Sequence, residues 1–160
     1  SNLKNLMIFC HGLSGGSEQV YSKDIALEFG KNGYSVVIIH ARGINDTPLG
    51  NPKVFHAGFT IDVEYSIEYI LKTKGKFDNI FLIGTSMGAN ISYRAISYNK
   101  ELSNKITGYV NISNPFDMIA ASKTVEKTVF DWVLIKNTVD YFNRHKDILS
   151  SFSEKKCFCQ

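Results

Sequence analysis

The chain has 160 residues and a mass of 18.0 kDa, a size that favours one domain around one core. With 44% hydrophobic and 21% charged residues, it has the composition of an ordinary globular protein, which excludes fibrous and low-complexity classes. The net charge of +3 comes from scattered lysines, and the only arginines are Arg42, Arg94 and Arg144. Nucleic-acid binding requires a clustered basic face, so we expect no nucleic-acid partner.

Cysteine usage and hydropathy bear on where the protein works. Three cysteines, two of them near the C-terminus, make no disulfide framework and favour a reducing compartment. No secretory signal and no apolar run of about 18 residues is present. We therefore expect a cytoplasmic location, or membrane association through a segment outside this sequence. The last four residues, 157–160, formally match a prenylation ending.

Short apolar runs alternate with amphipathic stretches, the pattern of a parallel α/β sheet. Strands are predicted at 6–10, 35–39, 79–83 and 106–112, and helices at 21–32, from a Thr60 cap to Gly75, and at 87–98. Residues 118–152 are predicted to form one or two helices over the C-terminal edge of the sheet. We expect one domain over 1–160, with a sheet core at 1–116 and a helical, cap-like segment and tail at 117–160.

The most informative segment is Gly84-Thr85-Ser86-Met87-Gly88, which lies between a predicted strand and a predicted helix. A Gly-x-Ser-x-Gly in this context is typical of a nucleophile elbow, in which a sharp turn lifts the serine above the sheet. Side chains at positions 84 and 88 would collide across that turn. The alternative is a tight turn with only a structural role.

A glycine-rich segment, His11-Gly12-Leu13-Ser14-Gly15-Gly16, follows the first predicted strand. Acyl transfer requires backbone N–H groups directed at the developing oxyanion. The expected donors are the amide of Met87, directly after the serine, and that of Leu13 in this loop. A phosphate-binding loop is the alternative, but the segment lacks the Gly-Lys-Ser/Thr ending and the Gly-x-Gly-x-x-Gly spacing.

These motifs together make the chain resemble the α/β-hydrolase superfamily, and within it the AB hydrolase 4 family of YheT-type and embryogenesis-associated proteins. The resemblance is carried, in the family's order, by segments 11–17, 41–43, 55–58 with Asp62, 84–90 and 114–117. It implies a partial α/β-hydrolase fold and a serine esterase or lipase that acts on acylglycerols, phospholipids or short-chain esters. No cofactor and no metal site is expected.

The chain departs from the family's triad order, which is serine, acid, histidine. Only one histidine, His145, follows Ser86. Asp117 and His145 are weak candidates for the acid and the base, and a solvated His145 on a surface helix is the favoured interpretation. His11, His40 and His56 precede the serine, and we expect hydrogen bonds that structure loops. The chain resembles the central portion of a longer hydrolase.

The leading hypothesis is a serine ester hydrolase that forms an acyl-enzyme on Ser86 and takes a small-molecule acyl ester or lipid as its substrate. Two alternatives stay open. The first is a catalytically incomplete fragment or pseudo-hydrolase that acts as a binding or interaction protein. The second is an acyltransferase, in which an alcohol instead of water takes the acyl group from the same site.

Overall fold

The computed structural model describes residues 4–151 and contains a four-stranded parallel sheet. Its strands are β1 (Asn5–Cys10), β2 (Tyr34–Ile39), β3 (Asn79–Thr85) and β4 (Gly108–Ile112). Their order across the sheet is β2-β1-β3-β4, and every neighbouring pair is parallel. The predicted α/β fold with a central parallel sheet is therefore confirmed. Only strand ends differ, since β3 continues to Thr85 and β4 begins at Gly108.

Within residues 4–151, four helices lie between the strands and three follow the last strand. The first group is α1 (Val20–Lys31), α2 (Ile61–Thr73), α3 (Met87–Tyr98) and the short α4 (Lys100–Ser103), and the second is α5 (Met118–Val125), α6 (Val129–Arg144) and α7 (Lys146–Ser150). One or two C-terminal helices were predicted, but the described residues form three, because the segment is interrupted before α6 and again at His145. Lys127 adopts φ +64°, which ends the first helix, and the Thr128 side chain accepts a hydrogen bond from the Asp131 amide to begin the next.

The beginning of α2 also differs from the prediction. Thr60 was expected to cap the helix with its side chain, but its backbone is already in the helical region (φ −90°, ψ −22°) and its hydroxyl makes no capping bond. Its carbonyl oxygen instead accepts hydrogen bonds from the amides of Val63 and Glu64. Of the two acidic residues in this first turn, Asp62 accepts hydrogen bonds from Arg42.

The core lies on both faces of the sheet, because β1 is buried on both sides and its residues alternate between them. Leu6, Ile8 and Cys10 belong to the larger cluster, which packs against α2 and α3. Met7 and Phe9 belong to a smaller cluster, which includes residues of α1. The core thus fixes the C-terminal end of β1, from which the glycine-rich loop leaves.

The C-terminal helices carry a large exposed apolar surface. Val129, Phe130 and Trp132 at the beginning of α6 are 77%, 73% and 64% exposed. Near the other end of this helix Tyr141 is buried, and its hydroxyl donates to the carbonyl oxygen of Arg42. The second half of α6 therefore docks on the loop after β2, at the C-terminal edge of the sheet, as predicted. Within residues 4–151, no helix has the length and apolarity needed to cross a bilayer.

Candidate functional site

Ser86 occupies the sharp turn between β3 and α3. Its backbone angles are φ +52° and ψ −125°, a conformation that non-glycine residues adopt only where the surrounding structure enforces it. The Ser86 amide donates to the carbonyl oxygen of Ile112 over 2.8 Å, which ties the turn to the end of β4. The side chain is exposed, so its hydroxyl is open to an incoming molecule.

The two glycines of the elbow are required by close packing. A Cβ at Gly84 would lie 2.6 Å from Ser92 Oγ and would also clash with the backbone of Ala89, across the turn in α3. A Cβ at Gly88 would collide with the carbonyl groups of Cys10 and His11. The collision expected across the turn therefore exists for Gly84, whereas Gly88 allows α3 to approach the end of β1.

The two amides expected as oxyanion donors are free. Within residues 4–151, neither the Leu13 N–H nor the Met87 N–H donates to an acceptor. The glycine-rich loop also passes beside the serine, because a Cβ built at Gly12 would lie 3.1 Å from Ser86 Cβ and 3.7 Å from Ser86 Oγ. Unpaired amide donors beside a serine hydroxyl are what oxyanion stabilisation requires, and the role of Leu13 and Met87 as these donors stays a prediction.

A buried polar cluster holds α3 behind the serine. The Ser92 hydroxyl donates to the Gly88 carbonyl over 2.6 Å, and the Tyr109 hydroxyl donates to the Ala89 carbonyl over 2.6 Å. Burial raises the pKa of Tyr109 to about 12 and that of the Cys10 thiol to about 12. Both groups are therefore neutral at ordinary pH. The cysteine is an inert core residue, because the thiolate is the reactive form.

Three histidines structure loops, as expected. His11 donates from Nδ1 to the Gly12 carbonyl over 2.7 Å and accepts at Nε2 from the Ala41 amide over 3.2 Å. His40 accepts from the Ser17 amide, and His56 accepts from the Gly58 amide. The ring of His11 thereby links the loops after β1 and β2, and burial lowers its pKa.

The weak triad candidates are engaged elsewhere. Asp117 caps α5, where its Oδ1 accepts from the amides of Ile119 and Ala120. The expectation of a solvated His145 was wrong, because its ring is half-buried and Nε2 donates to the Gly43 carbonyl over 2.8 Å. In the described part of the chain, no hydrogen bond reaches the Ser86 hydroxyl. The structure does not join these three residues, and their catalytic roles stay predictions.

An ion pair that sequence reasoning missed holds the loop between β2 and α2. The Arg42 guanidinium donates to both carboxylate oxygens of Asp62, over 2.6 and 2.5 Å. Arg42 also donates to Asn51 Oδ1 and the Lys53 carbonyl, and its guanidinium lies 4.6 Å from the Phe59 ring centre. The hydrogen bonds that Arg42 donates to Asp62 raise the pKa of Arg42. Arg42 and Asp62 both belong to segments that carry the family resemblance. Local spacing, however, does not predict an ion pair between residues 20 positions apart.

Two small cavities adjoin these loops. One, of about 40 Å³, has Met87 and Gly88 in its lining together with His11 and Phe55. The other, of about 60 Å³, lies between the glycine-rich loop and α6. Among residues 4–151, no three His, Cys, Asp or Glu side chains are grouped so as to hold a metal ion.

Comparison with known proteins places these features in a wider context. The sequence profile of the alpha/beta hydrolase fold matches residues 5–149. The embryogenesis-associated protein EMB8 of Picea glauca is 30% identical over 147 residues, which are 88% of this chain and 31% of that protein. A monoacylglycerol lipase of Saccharomyces cerevisiae is 28% identical over 128 residues, 78% of this chain and 28% of the lipase.

Solved structures support the same fold. The esterase Pf2001 of Pyrococcus furiosus superposes with a TM-score of 0.66 at 20% identity, over 92% of this chain and 59% of the esterase. The sequence profile and the curated relatives agree with the resemblance derived from the motifs. The chain spans about a third of the length of the curated relatives it matches.

Proposed function

The chain belongs to the alpha/beta hydrolase fold family, and on that premise we propose that the protein is a serine ester hydrolase with Ser86 as its nucleophile. The observation that carries the proposal is the position of Ser86. Its hydroxyl is exposed at a turn with φ +52°, between a loop and a helix whose Leu13 and Met87 amides have no acceptor within residues 4–151. A serine held in this way resembles the nucleophile of an elbow whose hydroxyl is accessible to an ester carbonyl.

The proposed reaction has two steps. Ser86 Oγ attacks the ester carbonyl carbon while its proton passes to a base, and the carbonyl oxygen becomes an oxyanion that accepts hydrogen bonds from Leu13 and Met87. The alcohol leaves with a proton, and an acyl-enzyme remains. Water then attacks the same carbonyl carbon, which releases the carboxylic acid and restores the serine.

The base and the acid are proposed to come from the part of the protein outside residues 4–151. All four imidazoles of the chain are hydrogen bonded to loop backbone. An unassisted serine hydroxyl is a weak nucleophile, so a further histidine must reach Ser86 in the active protein. The chain covers only 31% of its relative EMB8, which is consistent with a base encoded elsewhere.

The proposed substrate is a small acyl ester, which includes acylglycerols. This substrate class is supported by relatives that are themselves lipases and esterases. The acyltransferase alternative uses the same acyl-enzyme and differs in the acceptor. The non-catalytic alternative would leave Ser86 unreactive in the whole protein, and this difference can be measured.

The decisive experiment is labelling of the whole protein with a fluorophosphonate, followed by intact-mass measurement. This reagent modifies serines that a base has activated. We expect one adduct in the wild-type protein and none in Ser86→Ala. Ser97→Ala is the matched control, because Ser97 is an exposed serine on α3, the helix that follows Ser86, and its loss should leave the adduct in place.

The 160-residue chain provides a second comparison. If a folded sample of it carries no adduct while the whole protein does, the base lies outside these 160 residues, as proposed. If the chain alone is labelled at Ser86, a histidine of this chain serves as the base. A folded whole protein that takes no label would contradict the hydrolase proposal and favour a binding role.

A further inference from the structure

An apolar cavity lies between the glycine-rich loop and α6. Leu13 and Ser14 line one side, and Thr138 and Phe142 of α6 line the other. Val54, Phe55 and Tyr141 complete the lining. The Thr138 hydroxyl donates to the Leu134 carbonyl, and the Tyr141 hydroxyl donates to the Arg42 carbonyl. These two hydroxyls are therefore occupied, and apart from Ser14 the other lining residues have apolar side chains. The walls thus present mainly hydrocarbon, which suits an apolar guest.

This cavity, named here the acyl slot, adjoins the candidate reaction centre. Its lining begins at Leu13, whose free amide is a proposed oxyanion donor. The preceding residue, Gly12, lies against Ser86. The Gly12–Leu13 segment thus connects the slot to the serine. Resting on the function proposed above, we propose that the slot binds the acyl chain of the substrate and that Phe142 limits its length.

The volume of the slot defines the class of acyl group. A dry cavity of about 150 Å³ accommodates benzene, which corresponds to about 25 Å³ per carbon. The acyl slot, at about 60 Å³, therefore accommodates the first two or three carbons of a chain. Longer chains must displace Phe142, whose side chain is 46% exposed. The preferred substrates are thus short-chain esters such as acetates and butyrates.

The position of α6 fixes the width of the slot. Tyr141 and His145 attach this helix to the carbonyl groups of Arg42 and Gly43. The Arg42 side chain is in turn held by Asp62. The wall formed by Thr138 and Phe142 is therefore held in position. The length of acyl chain that fits then depends on the side chains that line the slot.

The test compares Phe142→Ala with Val139→Ala in the whole protein. Val139 lies one turn earlier on α6, is 49% exposed and does not line the slot. We expect kcat/KM for p-nitrophenyl octanoate, relative to the butyrate, to rise at least tenfold in Phe142→Ala and to stay within twofold of wild type in Val139→Ala. Equal changes in both variants, or an unchanged ratio in a folded Phe142→Ala protein, would overturn the proposal. Phe142→Leu replaces the alanine variant if that protein does not fold.

A ligand-binding experiment distinguishes failure of the acyl-slot proposal from failure of the hydrolase proposal. Butyrate and octanoate are titrated into Ser86→Ala protein and detected by saturation-transfer NMR, which needs no turnover. The double variant Ser86→Ala/Phe142→Ala should bind octanoate more strongly, relative to butyrate, than Ser86→Ala does. The double variant Ser86→Ala/Val139→Ala should show no such change. If hydrolysis and labelling are absent but this shift appears, the hydrolase proposal fails and the slot stands. If hydrolysis occurs without any shift, the slot proposal fails alone.

Discussion

His145 Nε2 donates a hydrogen bond to the carbonyl oxygen of Gly43 over 2.8 Å, across 102 residues of sequence. The ring also stacks edge-on against Tyr141, with ring centres 4.9 Å apart. Because a carbonyl oxygen accepts only, Nε2 carries the proton in this contact. The last histidine of the chain thus attaches α6 to the loop after β2. The sequence had suggested either a triad base or a solvated ring for this residue.

Gly43 should be essential for this attachment. Its φ is +73°, and a Cβ there would lie 2.7 Å from His145 Nε2 and 2.9 Å from the Tyr141 ring. We expect Gly43→Ala to displace α6 and to increase amide exchange over residues 129–144, as measured by hydrogen–deuterium exchange. Gly75→Ala is the control, because that glycine has φ +95° with nothing within 4 Å and tests backbone strain alone, about 1–2 kcal/mol. Equal exchange in α6 for both variants would contradict the prediction.

The elbow glycines should be intolerant of a methyl group. In Gly88→Ala the added Cβ would press on the carbonyl groups of Cys10 and His11, which are backbone and cannot move aside. We expect a loss of about 3 kcal/mol in the free energy of unfolding, at the upper end for overpacked sites, measured by chemical denaturation. Gly30→Ala in α1, with nothing within 4 Å, should instead stabilise the protein by about 0.5–1 kcal/mol. A harmless Gly88→Ala would show that α3 does not pack this closely on β1.

The Arg42–Asp62 pair should contribute more than an ordinary surface ion pair. Its side chains are 19% and 28% exposed, and its two-pronged geometry cannot be reproduced by lysine. A double-mutant cycle with Arg42→Lys and Asp62→Asn should give a coupling energy of about 1–2 kcal/mol. The exposed Lys31–Glu28 pair, at 71% and 67%, is the matched comparison and should give about 0–0.5 kcal/mol. Similar coupling energies in the two pairs would show that the Arg42–Asp62 pair contributes no more than a surface ion pair.

Acid should destabilise the fold through His11. Burial lowers its pKa in the folded state, so the unfolded chain binds a proton first as the pH falls. Stability is therefore lost as the pH falls from about 6.5 through the lowered pKa, at no more than about 1.4 kcal/mol per pH unit. Unfolding free energies measured between pH 7.5 and 5 should show this slope. His11→Asn, which keeps a donor for the Gly12 carbonyl, should flatten it, whereas His56→Asn at an exposed position should not.

Much of the fold follows from local patterns. The β1 run is apolar on both faces and too short for a helix, and the apolar residues of α2 recur at helical spacing, so both elements were predictable. The Gly-x-Ser-x-Gly pattern is likewise local, because the steric demand of the turn falls on neighbouring residues. Ser86 and its glycines could therefore be proposed as a site from the sequence alone.

The contacts that shape the rest of the site join distant segments, and periodicity carries no information about such pairs. Arg42 with Asp62, and His145 with Gly43, come together only because the ends of parallel strands meet at one edge of the sheet. The break at Lys127, with φ +64°, is a backbone state that lysine does not favour, so composition could not predict it. The amino-acid sequence by itself thus determined the four strands, the helices α1, α2 and α3 between them, and the candidate nucleophile. Only tertiary packing decided which side chains surround that nucleophile, because their positions depend on contacts between residues far apart in the chain.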